Sequence, residues 1–63
     1  MRYQHYKSGI YDLVCEAKLE SNPEQILLIY RSPEGETWAR PIEAFFEKVE
    51  FEGKLIDRFE LIP

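Results

Sequence analysis

Apolar and polar residues alternate along most of this chain, and the breaks in that alternation mark its turns. From Ile10 to Leu19 (IYDLVCEAKL), Tyr11, Leu13, Cys15, Ala17 and Leu19 are apolar while Asp12, Glu16 and Lys18 are charged, with Val14 the exception. A period of two predicts a strand with one buried face. Tyr11, Val14, Cys15 and Leu19 also fit helical spacing, but Gly9 before the segment and a strong strand after it decide for a strand. Leu19 to Gln25 carries turn chemistry in Ser21, Asn22 and Pro23. The unbroken apolar run Ile26 to Tyr30 predicts a central strand covered on both faces. Ser32 to Glu36 (SPEGE) holds Pro33 and Gly35 in turn order, with Glu34 expected at a loop tip. Thr37 to Arg40 follows as a third strand, and short turns make a meander the simplest arrangement of the three. On that third strand Trp38 and Arg40 stand two apart and project to one face; Pro41 ends the extension.

After Pro41 the period changes. Ile42, Phe45, Phe46 and Val49 fall at i, i+3, i+4 and i+7, with Pro41 at a plausible first helical position and Glu43 in the first turn, which predicts one or two helical turns. Alternation returns with Val49 and Phe51, breaks at Gly53, and resumes with Phe59 and Leu61. The sum is an all-β domain of about five short strands and one helical turn, rolled or closed into a small barrel that leaves few open edges. The expected interior is Leu13, Cys15, Ala17, Leu27, Ile29, Phe45, Val49, Phe51 and Phe59.

Length makes this a single domain over residues 1–63. A chain this short buries only about 60% of its unfolded surface, so each large side chain matters to its stability. Aromatic residues make up 14% of it, enough to build a core without a staple. The lone Cys15 forms no internal disulfide, and one Cys with one His is too few for a structural zinc site. No apolar run approaches the roughly 20 residues of a bilayer span, and the N-terminus lacks the apolar stretch of a secretory signal, so the expected location is the cytoplasm, with no membrane association. Net charge is −4, against a general polyanion binder, although Arg2 to Lys7 contains no acid and leaves room for a local basic patch.

Catalytic chemistry finds little to work with. A nucleophile needs a base within reach, and the only thiol, Cys15, sits on the expected inner face while the only imidazole, His5, lies near the terminus. Carboxylates dominate the remaining metal-ligand types, and Glu50 and Glu52 read as a solvated face. No glycine-rich phosphate loop is present. We therefore expect no enzymatic activity, no cofactor and no metal. The residues suited to recognition are His5, Tyr6, Lys7, Tyr30, Arg31, Trp38 and Arg40, since Trp and Arg are enriched at binding hot spots and Arg grips carboxylates and phosphates in pairs of hydrogen bonds. Trp38, Arg40, and Tyr6 with Lys7 have structural alternatives. Trp38 could fill the core, Arg40 could pair with Glu43 or Glu47, and Tyr6 could tie down the N-terminal segment.

The motif residues His5, Tyr6, Lys7, Gly9 and Tyr11, then Tyr30, then Trp38, Arg40, Pro41, Phe45, Glu47 and Val49, then Arg58 and Phe59 run through nearly the whole chain. In them it resembles the small bacterial family known as domain of unknown function 1653, most specifically in Trp-x-Arg-Pro. It departs from the family pattern at Ser8, in place of a glycine, and in the loop Ser32-Pro33-Glu34-Gly35. The resemblance implies an SH3-like β-roll and no established activity.

Two functions are then expected in order. The first is a non-enzymatic module that binds a protein, a peptide or a second copy of itself through Trp38, Arg40, Tyr6, Lys7, His5 and Tyr30, as a monomer or weak homodimer. The alternative is an accessory domain for nucleic acid, a role that rests on analogy between SH3-like rolls and is opposed by the negative charge.

Overall fold

Val14 interrupts the alternation of its segment, and in the computed structural model, which describes residues 1–63, it also shifts the pairing register of its strand. Strand β2 (Ile10–Leu19) pairs antiparallel with β3 (Asn22–Arg31). Leu13 lies opposite Tyr30, yet Cys15 lies opposite Ile29, so Val14 is the extra residue of a β-bulge. A bulge reverses the face to which the following residues point. Tyr11 and Leu13 pack against the core, whereas Cys15 and Ala17 share the outer face with Ile29 and Leu27.

Strands β1 (Arg2–His5), β4 (Thr37–Pro41) and β7 (Phe59–Ile62) complete one antiparallel sheet in the order β4-β3-β2-β1-β7. Helix α1 (Ile42–Phe45) is a single turn after β4, and β5 (Lys48–Phe51) and β6 (Lys54–Asp57) form a separate hairpin. That hairpin turns on Glu52 and Gly53, both with positive φ (53° and 79°), the two-residue turn whose twist matches the strands it joins. It is tied to the sheet through Arg58. The Arg58 amide donates to the Glu47 carbonyl, the Tyr6 amide donates to the Arg58 carbonyl, and the Arg58 guanidinium pairs with Glu47 at 2.9 Å.

β4 and β7 are the two edges of the five-stranded sheet, but the sheet curls until their side chains meet. The Arg40 guanidinium of β4 stands 5.8 Å from the ring centre of Phe59 on β7. The curled sheet encloses Tyr3, Leu28, Tyr30, Phe45 and Phe59, the five buried residues, with Tyr11, Leu13 and Ile42 packed against them. Pro41 caps α1 in extended geometry, and the single turn delivers Phe45 into the centre. Its ring lies flat on Phe59 at 4.2 Å and meets Tyr3 and Tyr30 edge-on at 5.1 and 5.5 Å. Such aromatic pairs contribute beyond the area they bury, which suits a chain with few buried residues.

Phe45 and Phe59 are buried as expected, and Leu13 leans on the core. The rest of the expected interior needs correction. Cys15 is exposed, Ala17, Leu27 and Ile29 are half-buried on the outer face, and Leu28 and Tyr30 fill the core instead. Two causes combine. In the run Ile26 to Tyr30 every position is apolar, so parity does not tell inside from outside, and the bulge at Val14 inverts the phase of β2. Val49 is half-buried and Phe51 exposed, because they belong to the projecting hairpin. The strands number seven, since β1 and β6 are present in addition to the five read from alternation. The helix stops after one turn, which leaves Phe46 exposed and Val49 in β5. The turn expected over Leu19 to Gln25 is confined to Glu20 and Ser21; Pro23 lies inside β3, at an end that β4 does not reach and where no donor is required.

The exposed thiol has a direct consequence. Cys15 in the native protein is expected to react stoichiometrically with a disulfide reagent without denaturant. Protection until unfolding would put it back in the core.

Candidate functional site

Register places the chemistry. Tyr30 lies opposite Trp38 and Leu28 opposite Arg40, so Trp38 and Arg40 share the inner face of the sheet with two core residues. Where the curled sheet opens, these side chains line a cavity of about 280 Å³ together with His5, Tyr11 and Phe59. The loop between β3 and β4 forms the remaining wall through Ser32, Glu34 and Glu36.

Arg40 is half-buried and held at two points. Its Nε donates to the Tyr30 hydroxyl at 3.2 Å, and its guanidinium covers Phe59. Neither expected carboxylate reaches it. Glu47 is taken by Arg58, and Glu43 accepts from the Gln25 amide at 3.1 Å. The chain's two ion pairs are Lys48–Asp57 and Arg58–Glu47, so Arg40 keeps its charge without a counter-ion. A charge partly removed from water and left unpaired is a cost to the fold, and it is the feature an incoming anion would relieve.

His5 stands beside it. Its Nδ1 accepts the Lys7 amide at 3.1 Å, which puts the ring proton of the neutral form on Nε2. The ring packs on Phe59 and Tyr6, each at 4.9 Å, and on Tyr11 at 5.8 Å. Burial, and after it the positive charges of Arg40, Arg58 and Lys7, hold its pKa below the ordinary 6.5. Folding therefore favours the neutral ring. Stability from this residue is present above pH 6.5 and is lost as pH falls from there through the folded-state value, because the unfolded chain takes up the proton first. His5 carbon-bound ring protons followed by NMR are expected to titrate below 6.5, and Arg40→Gln is expected to move the midpoint up part of the way. An unchanged midpoint in the variant would place Arg40 too far from the ring to matter.

The loop wall is stiff. The Ser32 amide donates to the Glu36 carbonyl at 2.8 Å, Gly35 to the Ser32 carbonyl at 2.9 Å, and Glu36 to the Ser32 hydroxyl at 3.2 Å. It is also wedged from behind. Gly9 has φ +24°, and a Cβ there would come within 2.4 Å of Pro33 Cγ. Gly9→Ala is expected to cost at least about 1–2 kcal/mol, from the backbone penalty alone, and to broaden or shift loop resonances from Ser32 to Glu36. A variant with wild-type stability and unchanged loop resonances would show that this wedge is not needed.

Of the residues expected at the site, His5, Tyr30, Trp38 and Arg40 come together; Tyr6 and Lys7 lie outside the lining. Tyr6 is wedged between His5 and Phe51, and Lys7 reaches back over the Tyr6 ring. The N-terminal strand β1 lies three strands away from β4, and curling of the sheet brings His5 to the cavity. Neither Trp38 nor Arg40 takes its structural alternative, the core for the one and a glutamate for the other. Trp38 is 50% exposed at the rim, and Arg40 is the more deeply placed. Tyr11, Ser32, Glu34, Glu36 and Phe59 are additional lining residues. Glu34, expected at a loop tip, is part of the cavity wall, because its loop joins Tyr30 to Trp38. No three His, Cys, Asp or Glu side chains gather into a metal-binding group, and no helix is long and apolar enough to cross a membrane.

A family model described as protein of unknown function (DUF1653) matches residues 1–61. The chain belongs to that family. No curated protein and no solved structure matches it. The span shared with the DUF1653 family, whose function is unknown, contains every residue of the cavity.

Proposed function

We propose that the chain is a non-enzymatic binding module that takes a carboxylate group of a protein or peptide partner into this cavity. The observation that carries the reading is Arg40, a half-buried guanidinium held by Tyr30 and Phe59 and left without a counter-ion. Holding the fork in place before binding reduces the ordering cost of a paired hydrogen bond to a carboxylate. The cavity, about 280 Å³, lies just under the range of roughly 300–1,000 Å³ usual for small-molecule sites, and suits one residue of a longer partner. Trp38 at the rim offers the partner an exposed aromatic face.

Nucleophilic chemistry has no support in this arrangement. Cys15 lies on the outer face of the sheet, and the Ser32 hydroxyl is engaged by the Glu36 amide. Two glutamates in the wall disfavour a phosphate backbone. An exposed, unpaired cysteine suits a reducing cytoplasm.

The test is an NMR titration with Nα-acetyl-norleucine against its amide. Saturable shifts at His5, Trp38 and Arg40 with the acid and none with the amide are expected. Equal shifts with both, or shifts confined to the outer face around Cys15, would overturn the reading.

A further inference from the structure

Arg40 is only half of the charge in the cavity. Glu34 and Glu36 stand on the loop wall, and neither is in an ion pair with Arg40 or with any other cation. With His5 held neutral by its surroundings, one guanidinium and two carboxylates leave the lining one charge negative. A ligand carrying only a carboxylate would satisfy Arg40 while facing two like charges, and like charges brought together in a site oppose binding. A ligand carrying only a cation would meet the reverse conflict at Arg40.

The loop is built to keep the two signs apart. Its three internal hydrogen bonds and the packing of Pro33 on Gly9 fix the backbone on either side of Glu34 and Glu36. Arg40 is restrained by Tyr30 on the neighbouring strand and by Phe59 on the opposite edge of the sheet. Tyr11, Tyr30, Trp38 and Phe59 line the same cavity, and a cation over an aromatic face gains further attraction.

We infer that the cavity recognises a zwitterionic group, a carboxylate for Arg40 and a cation for Glu34 and Glu36 on one short skeleton. The inference rests on the reading that Arg40 receives a carboxylate, and it names what else the ligand must carry. A partner chain ending in Lys or Arg presents this pair, with its terminal carboxylate and its side-chain cation. A free basic amino acid presents the same pair.

Four matched probes test it by NMR titration: Nα-acetyl-lysine, Nα-acetyl-norleucine, Nα-acetyl-lysine amide and free lysine. Nα-acetyl-lysine is expected to bind about tenfold more tightly than either the norleucine compound, which lacks the cation, or the amide, which lacks the carboxylate. The double variant Glu34→Gln, Glu36→Gln is expected to bring Nα-acetyl-lysine down to the norleucine level. Both side chains are exposed, and a thermal melt checks that the variant is folded. If norleucine and lysine acids bind equally, the inference is wrong while the carboxylate reading stands. If the amide binds as well as the acid, the Arg40 reading fails and the inference falls with it. Free lysine binding more tightly than Nα-acetyl-lysine would keep the zwitterion and remove the peptide partner. If none of the four binds, both readings are overturned.

Discussion

Phe45→Ala is expected to unfold the domain. Truncating a buried phenylalanine costs about 3–5 kcal/mol, and a chain this short sits near the low end of the usual 5–15 kcal/mol of total stability. Phe45 is 1% exposed and contacts the rings of Tyr3, Tyr30 and Phe59, so its loss removes packing from three of the other four buried residues. The core is small enough that nothing else can take over. Phe46→Ala is the matched control, since its ring is 53% exposed, and its effect is expected to be several-fold smaller. Urea unfolding followed by circular dichroism checks both. A Phe45→Ala midpoint close to wild type would mean that the helical turn does not anchor the core.

The second large effect concerns binding. Arg40→Gln is expected to weaken Nα-acetyl-lysine by roughly 10- to 100-fold, because a hydrogen bond to a charged group contributes about 1.5–3 kcal/mol and 1.4 kcal/mol is a factor of ten. Stability should stay near wild type, since Arg40 has no ion pair to lose and gives up only one hydrogen bond to Tyr30 and its contact with Phe59. Arg40→Lys separates charge from shape. A lysine keeps the positive charge but cannot present two parallel donors, so binding between wild type and Arg40→Gln is expected. Should Arg40→Gln unfold the chain while Arg40→Lys folds and binds like wild type, the guanidinium is structural and the cavity owes its charge to it only incidentally.

These two residues also mark where the sequence is readable and where it is not. Phe45 stands at helical spacing after Pro41, so its burial follows from a local pattern. Trp38 and Arg40 share a face because they are two apart on a strand, again a local property. What alternation does not carry is phase and closure. Counting residues from Tyr11 puts Cys15 inside, and one bulged residue at Val14 turns it outward. In the run Ile26 to Tyr30 both parities are apolar, so the choice of Leu28 and Tyr30 for the core is made by tertiary packing. His5 meets Arg40's cavity although β1 and β4 are three strands apart, and only the curl of the whole sheet brings them together. Glu34 and Glu36 carried no signal of their own, since surface carboxylates are common in a chain of this charge. Their place follows from the hairpin they close.

The most direct measurement is a crystal structure of the chain grown with Nα-acetyl-lysine. The probe is expected in the cavity, its carboxylate oxygens about 2.7–2.9 Å from Arg40 guanidinium nitrogens and its ammonium facing Glu34 or Glu36. A cavity without the probe, with Arg40 turned into an ion pair with Glu34 or Glu36, would contradict this.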